Sequence, residues 1–509
     1  MPLAPSPCEY CSAGDWPPGN HQQQEGDEAH MKQGLPQSLT SRGWQLLLNW
    51  LLAGMFLLSA CANSGSSPRG NSPAVSSPST CISPSSGPGS GSSSLSVFIG
   101  PWSGESNQSI ISALRADDGT LRWQYKTDVP KPTAITGAGV VYVAGEFVTE
   151  PSPFSIVYAL RASDGAVLWK TSLHTTAVSW LFLWQKQLFA FDVNGGTIFS
   201  LQSANGKLLW SASTSPVFSQ QPILSQQIVD GVLYVTVNDV VSAHGSLYAY
   251  DAQRGTRLWQ YGAHYGVILR PFVYDKVVYI TDAPSLIRQY EHGRVVALQA
   301  SNGMPLWQYD QKDAMGFSPP LVSNGVVYLG NSNVFAGRNA SLYALQAKDG
   351  TLLWKTDTGT RDDIVDAPLI TEGIVYLSTV FHPTLLALRA QDGSLLWKDS
   401  HEFIPAMNPQ PGWLIARNAV YAVDGKTSVS ALCLSNGKAF WRTPLASARG
   451  PLDTPVAVVN GSVYITDSLS GTLYALKTQD GSQAWRYRIT PFPSNITTNI
   501  DVSLSIAVG

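Results

Sequence analysis

Residues 341–357 read SLYALQAKDGTLLWKTD, and closely similar text occurs at residues 156–171 (IVYALRASDGAVLWKT) and 472–488 (TLYALKTQDGSQAWRYR). Each copy joins an apolar run to an Asp-Gly pair and then to a second run that contains a tryptophan. An Asp-Gly pair accepts positive φ angles and is a strong signal for a tight hairpin turn. The stretch therefore predicts two antiparallel strands joined by a turn, and its recurrence predicts a repeat protein.

A tryptophan shortly after a Gly-ended turn marks nine copies of this unit, at spacings of 41–49 residues. Eight of the nine turns are Asp-Gly or Asn-Gly, and the ninth is Arg254-Gly255. A buried indole is large and its N–H needs an acceptor, so these tryptophans are interpreted as packing residues with a turn carbonyl as partner. The nine structural tryptophans are Trp123, Trp169, Trp210, Trp259, Trp307, Trp354, Trp397, Trp441 and Trp485.

One complete unit, residues 318–356, divides into four short strands. The text SPPLVSNG gives the first strand and a turn, VVYLGNS the second, SLYALQA the third and TLLWKT the fourth. In the third strand the residues on both sides are largely apolar, which indicates a strand that is covered on both faces. Four short strands in each repeat, buried on both faces, predict an all-β fold, a β-propeller of four-stranded blades.

The phrase Leu-Tyr-Ala-Leu-x-Ala-x-Asp-Gly-x-x-Leu-Trp resembles the repeat of quinoprotein-like (PQQ-like) β-propellers, and the resemblance spans residues 95–509. In that family the tryptophan of the outer strand docks against the neighbouring blade. Its members include PQQ-dependent dehydrogenases and the propeller lipoprotein of the outer-membrane β-barrel assembly machine. Because these members serve unrelated roles, the resemblance predicts the fold and leaves the activity open.

The ends of the propeller indicate how the ring closes. The first unit begins at LSVFIG (95–100) and lacks a first strand, whereas DVSLSIAVG (501–509) has the character of a first strand with nothing after it. Pairing of the N- and C-terminal strands accounts for both features and gives nine blades. The usual number in the family is eight, which would require one motif to lie outside the ring.

The first 94 residues divide into three segments by composition. Residues 1–30 are hydrophilic and are interpreted as a disordered extension upstream of a start at Met31. Residues 31–60 resemble a lipoprotein signal peptide, since basic residues precede the apolar run 44–60. Residues 61–94 are almost entirely Ser, Pro, Gly and Asn and predict a disordered tether.

Cys61 follows Leu-Ser-Ala at the end of the apolar run, in the manner of a lipobox, and is the expected lipidation site. A lipid there would attach the propeller to the extracytoplasmic face of a bacterial membrane, in the periplasm or at the cell surface. An uncleaved signal anchor is the alternative, because the run approaches the roughly 20 residues of a membrane span. The tether of about 33 residues would reach roughly 30–35 Å.

Composition excludes several functional classes. The net charge is −3 and charged residues make up 13% of the chain, with no Lys/Arg block, so no nucleic-acid surface is predicted. The pair Cys8 and Cys11 lacks histidines at zinc-finger spacing, and no metal site is predicted. Cys433 is expected to be a small core residue, with a disulfide to Cys81 as the alternative.

Catalysis by a quinone cofactor is the main alternative to a binding function. According to the resemblance, PQQ-dependent dehydrogenases hold the quinone in the central funnel against a disulfide of adjacent cysteines, beside a Ca²⁺ ion bound by Glu, Asn and Asp. This chain has no adjacent cysteine pair and no CxxCH haem motif. No catalytic residue and no cofactor are therefore predicted, and PQQ with Ca²⁺ remains the alternative.

The central channel is the place where a binding site would form, because the starts of the innermost strands converge there. A water-filled channel is one reading, and a site for a small ligand or ion is the other. The candidate channel-lining residues are Lys131, Gln221, Arg270, Asp366, Asn408, Asp453 and Asp501.

The sequence thus predicts a membrane-tethered, extracytoplasmic and non-catalytic propeller. Many short loops on a rigid disc suit the binding of other extracytoplasmic or membrane proteins. The chain is expected to be a monomeric scaffold or interaction module, attached to the membrane through the lipid at Cys61. The alternatives are a PQQ-dependent alcohol or sugar dehydrogenase and a propeller that binds a small ligand in its channel.

Overall fold

The protein is described by a computed structural model, in which nearly all described residues belong to strands or tight turns. The structure describes residues 96–103, 109–129, 133–147, 154–175, 178–192, 195–214, 223–239, 244–263, 266–284, 293–312, 314, 316–332, 339–359, 364, 366–379, 384–399, 413–416, 418–424, 427–445, 448, 452, 455–467, 470–488 and 504–507.

The described strands form nine antiparallel sheets, which are the blades of a propeller. The first blade contains β1 (Ser96–Ser103), β2 (Ser109–Arg115), β3 (Leu121–Thr127) and, from the far end of the chain, β38 (Leu504–Ala507). The second contains β4 (Thr133–Gly137), β5 (Val140–Phe147), β6 (Phe154–Arg161) and β7 (Val167–Leu173). The third contains β8 (Val178–Trp184), β9 (Gln187–Asp192), β10 (Thr197–Gln202) and β11 (Leu208–Ser213).

The next three blades include two whose innermost strand is split into two pieces. The fourth contains β12 (Ile223–Val229), β13 (Val232–Asp239), β14 (His244–Asp251) and β15 (Arg257–Gly262). The fifth contains β16 (Gly266–Ile268), β17 (Phe272–Tyr274), β18 (Val277–Pro284), β19 (Gly293–Gln299) and β20 (Pro305–Gln311). The sixth contains β21 (Gly316–Phe317), β22 (Leu321–Ser323), β23 (Val326–Ser332), β24 (Ser341–Gln346) and β25 (Leu352–Asp357).

The last three blades return to four strands each. The seventh contains β26 (Leu369–Thr371), β27 (Ile374–Ser378), β28 (Leu385–Arg389) and β29 (Leu395–Asp399). The eighth contains β30 (Trp413–Ala416), β31 (Ala419–Val423), β32 (Ser428–Cys433) and β33 (Ala439–Pro444). The ninth contains β34 (Pro455–Val459), β35 (Ser462–Asp467), β36 (Thr472–Lys477) and β37 (Gln483–Arg488).

The two ends of the chain close the ring. Strand β38 pairs antiparallel with β1, with Ser96 opposite Ala507 and Val97 opposite Ile506. This pairing confirms the predicted closure and the count of nine blades; the family's usual number of eight does not apply here.

The apolar core lies between neighbouring blades. One cluster, for example, joins the second and third blades and contains Tyr142, Val157, Leu188 and Phe199, none of them more than 8% exposed. Similar clusters join the other blades in turn, which explains why the middle strands are apolar on both faces.

Each outer strand carries a β-bulge at one repeated position. In the sixth blade Trp354 stands opposite Ala344, but Leu352 stands opposite Leu345, so the outer strand has one extra residue. The same shift occurs beside the tryptophan in all nine described sheets. A bulge twists the exposed edge and so disfavours pairing with a foreign strand.

Several sequence-based expectations fall outside the described residues. They are the extension 1–30, the signal peptide 31–60, the tether 61–94 and the lipidation site Cys61. Within the described ranges, no helix has the length and apolar character needed to cross a membrane.

The expectation of a simple core thiol at Cys433 is wrong. The residue is 2% exposed, as a core residue should be, but it is disulfide-bonded. Persistent disulfides are typical of proteins outside the cytosol, where thiols are not kept reduced.

Candidate functional site

The nine tryptophans join each blade to the next. Each indole N–H donates to a backbone carbonyl near the turn of the following blade, at 2.7–3.2 Å. Trp354, in the outer strand of the sixth blade, donates to the Ala390 carbonyl of the seventh at 3.1 Å. Trp485 of the ninth blade donates to the Ala116 carbonyl of the first at 3.0 Å, so this set of bonds continues across the junction of the chain ends.

A second donor shares many of these carbonyls, and sequence reasoning missed it. Tyr328, in the second strand of the sixth blade, donates its hydroxyl to the Ala390 carbonyl at 3.3 Å, beside Trp354. In four other blades a tyrosine and a tryptophan also donate to one shared carbonyl: Tyr142 and Trp169, Tyr279 and Trp307, Tyr376 and Trp397, and Tyr464 and Trp485. The sequence feature that could have indicated these donors is the tyrosine in second-strand segments such as VVYLG. Tyrosine is also common in strands for other reasons, so the feature is not specific.

The acidic or amide residue of each turn has a local role. Asp349 accepts a hydrogen bond from the Thr351 backbone N–H at 3.0 Å, and the corresponding Asp or Asn in seven other blades does the same. The fourth blade has Arg254 there, and Asp251 instead accepts from the Gln253 and Arg254 N–H groups at 2.9 Å. These side chains are therefore used to hold the turns.

The glycine of each turn is held against the tryptophan of the preceding blade. Gly350 has φ of 75°, and a Cβ atom on it would lie 2.6 Å from Cε3 of Trp307. Gly325, in the other turn of the same blade, also has φ of 75° but has nothing within 4 Å of that position.

We predict that Gly350→Ala destabilises the protein more than Gly325→Ala. Both variants carry the cost of positive φ, on the order of 1–3 kcal/mol, but only Gly350→Ala also forces the Trp307 ring to move. Urea unfolding of both variants measures the difference directly. Equal losses of stability would show that contact between turn and ring contributes nothing.

The candidate channel residues divide into two groups. Lys131, Gln221, Asn408, Asp453 and Asp501 lie outside the described residues. Arg270 and Asp366 are described, and their charges interact electrostatically.

Arg270 lies in a bulge of the innermost strand of the fifth blade. Ile268 stands opposite Asp282 and Phe272 opposite Tyr279, so three inner residues, 269–271, face only two residues of β18. Pro271 has no N–H for the ladder, which suits such a break. A bulge turns a side chain away from its regular direction, here that of Arg270.

Asp366 precedes β26, the innermost strand of the seventh blade. Burial raises its pKa to about 6, against the opposing effect of the nearby Arg270. Burial also lowers the pKa of the Arg270 guanidinium, while the Asp366 carboxylate favours its charged form. The two side chains keep some solvent contact, yet desolvation is the largest effect on each.

No metal site is formed by the described part of the chain, in which no three His, Cys, Asp or Glu residues are grouped as ligands. Of the predicted channel residues, those that the structure describes are one guanidinium, Arg270, and one carboxylate, Asp366.

Comparison with known proteins identifies the family. The profile described as outer membrane protein assembly factor BamB matches residues 107–237, 196–318 and 291–453, which together exceed half of the chain.

Individual relatives show more modest similarity. The assembly factor BamB of Salmonella typhimurium is 28% identical over 229 residues, covering 43% of this chain and 56% of that protein. BamB of Moranella endobia is 28% identical over 265 residues, covering 48% and 65% respectively. The chain thus spans less than two thirds of the length of these relatives.

Among solved structures, BamB from Moraxella catarrhalis has a TM-score of 0.44 and 15% sequence identity, covering 71% of this chain and 95% of that one. On the extent of the profile match, the chain belongs to the family of the outer membrane protein assembly factor BamB.

Proposed function

We propose that this chain is a lipid-tethered, extracytoplasmic scaffold that holds other membrane proteins in an assembly. The observation that carries the proposal is the match of residues 107–453 to a family described as an assembly factor of the outer membrane. The fold supports it, because blades that are bonded in a closed ring make a rigid platform for loops.

On one face of the propeller the turns have nearly the same length in every blade, and they contribute to packing between blades. The turn between third and fourth strands has five residues in every blade, and that between first and second strands has two residues in eight blades. The turns between third and fourth strands hold the Asp or Asn residues that fix the turn and the glycines that lie against the tryptophan of the preceding blade. Such positions are constrained by packing and leave little freedom for recognition.

The opposite face carries all of the variation in length. Connections between second and third strands have four to eight residues, and connections between blades have three to fifteen. The longest are the segments 358–368, 400–412 and 489–503. We assign partner binding to this variable face, because loop length and composition are free to differ there.

Site-specific photo-crosslinking in intact cells tests this assignment. A photoreactive residue is placed in a connection of the variable face at His174, Lys312 or Asn339, or in the outer strand β25 at Leu353, which is 47% exposed. We expect adducts with outer-membrane assembly proteins from at least one variable-face position and none from Leu353. Failure of all three variable-face positions to capture a membrane protein would refute the scaffold function.

The membrane tether is tested in the same cells with Cys61→Ser. This variant lacks the thiol that a lipid would modify, so we expect the protein in the soluble fraction and the adducts reduced at least tenfold. A variant that stays in the membrane fraction would contradict attachment through Cys61. The scaffold function would then be judged by the crosslinking result only.

A further inference from the structure

A disulfide connects the eighth blade to the part of the chain that precedes the propeller. Cys433 is disulfide-bonded, and within the described ranges it is the only cysteine. The other four cysteines of the chain lie in residues 1–94 and are Cys8, Cys11, Cys61 and Cys81. The bond at Cys433 therefore reaches back to the N-terminal segment.

The burial of Cys433 is an independent sign that a segment covers it. Cys433 ends β32, its N–H donates to the Lys438 carbonyl, and its own carbonyl accepts from the Gly437 N–H. The residue with these two bonds in each other blade is polar and partly or fully exposed: Arg115, Arg161, Gln202, Asp251, Gln299, Gln346, Arg389 and Lys477. Cys433 is only 2% exposed, whereas the Asp251 side chain, which is also short, remains 24% exposed.

The N-terminal segment enters the propeller on the face where Cys433 lies. We call the face with the turns between third and fourth strands the turn face. Ser96, the first residue of β1, stands opposite Arg115, which is the counterpart of Cys433 in the first blade. In the closed ring the ninth blade separates the first from the eighth.

The N-terminal segment is long enough to pass from the first blade to the eighth. Packed sheets lie about 10 Å apart, so two blades correspond to roughly 20 Å. Cys81 precedes Ser96 by 15 residues. A flexible chain of that length has a typical end-to-end distance of about 19–23 Å. Cys81 is therefore within reach of Cys433 without extension of the chain.

We propose that Cys433 is bonded to Cys81 and that this disulfide fixes the membrane anchor to the turn face. The choice of Cys81 rests on the proposed lipid attachment, because a lipid on Cys61 occupies its sulfur as a thioether. Cys8 and Cys11 precede the signal-peptide cleavage site and are removed. The two thiols lose two protons and two electrons when the bond forms, and a disulfide oxidase outside the cytosol accepts them.

The disulfide shortens the free tether and orients the propeller. Cys61 and Cys81 are 20 residues apart, which gives a typical reach of about 22–27 Å instead of roughly 30–35 Å. Because the attachment is on the turn face, that face is held near the membrane and the variable face points away from it. Partners then meet the variable face on the side away from the membrane.

Non-reducing peptide mapping of the full-length protein, purified from bacterial membranes, identifies the bonded cysteine. Free thiols are blocked in denaturant, and the unreduced chain is cut with trypsin. Trypsin releases Cys81 in the peptide 70–115 and Cys433 in the peptide 427–438. We expect these two peptides as one linked species that separates on reduction.

The other outcomes of the mapping would overturn the proposal. They are a Cys433 peptide that is blocked as a free thiol, one that is linked to the same peptide of a second copy, and one that is linked to Cys8, Cys11 or Cys61. The peptide 61–69 is measured in the same digest and reports the lipid separately. A Cys81–Cys433 link in a chain without lipid would support the disulfide and contradict the proposed membrane tether.

Energy transfer to the bilayer tests the orientation. A fluorescent residue is introduced at Lys438 on the turn face or at Thr427 on the variable face of the same blade, in vesicles whose lipid headgroups carry the acceptor. We expect transfer at least twofold more efficient from Lys438 than from Thr427. Cys81→Ser should bring the two positions close to equality, whereas the control Ser83→Ala should not. Equal transfer from both positions in the unmodified chain would refute the orientation.

Discussion

Replacement of Trp354 by alanine should lower the free energy of unfolding by about 3–5 kcal/mol, as large aromatic-to-alanine changes in a core do. The ring contacts the Gly393 turn of the next blade, lies 6.0 Å from the Tyr328 ring, and donates its N–H to the Ala390 carbonyl. Its loss therefore leaves a cavity between the sixth and seventh blades. Urea unfolding, followed by the fluorescence of the other tryptophans, measures the change.

Two controls separate the contributions of this residue. Trp354→Phe keeps an aromatic ring but removes the donor, so it should cost less than the alanine variant. Leu353→Ala changes the adjacent residue, which is 47% exposed, and should alter stability by less than about 0.5 kcal/mol. A Trp354→Ala variant as stable as Leu353→Ala would mean that the tryptophans do not hold the blades together.

A chain that ends at residue 500, and therefore lacks β38, should lose about 2–4 kcal/mol of stability. Strand β38 supplies four residue pairs to β1, and each backbone hydrogen bond contributes on the order of 1 kcal/mol. Without it the first blade has three strands and an open inner edge. Urea unfolding of the truncated and complete chains gives the difference, and an unchanged midpoint would contradict closure by the chain ends.

The fold could be predicted from the sequence because the repeated motif recurs at a nearly constant spacing. Nine tryptophans after nine turns gave nine blades, and this literal count was right where the family's usual number was not. The split inner strands of the fifth and sixth blades were not foreseen. Pro271, Pro319 and Pro320 cannot complete a ladder, but a proline is also compatible with a strand that simply starts there.

The candidate site could be predicted from the sequence only in part. Arg270 and Asp366 were both assigned to the channel, but nothing in the sequence indicates that their charges interact, since the two residues lie 96 positions apart. The tyrosines that share an acceptor with the tryptophans were missed for a similar reason. A strand tyrosine has the same local sequence whether or not its hydroxyl reaches the next blade.

The central claim is that nine repeats form one closed ring joined by the two ends of the chain. Disulfide trapping tests it most directly, with cysteines placed at Ser96 and Ala507, which stand opposite each other. Directly opposed residues have Cβ atoms about 4.5–5.5 Å apart, near the range for a disulfide, whereas diagonal residues are further apart. Cysteines at Ser96 and Ser505 therefore provide an offset control.

Peptide mass spectrometry after mild oxidation measures the cross-link in both pairs. We expect the Ser96→Cys/Ala507→Cys pair to cross-link in most molecules and the offset pair in few. No cross-link in the opposed pair, in a protein that is otherwise folded, would contradict a nine-bladed ring closed by β38.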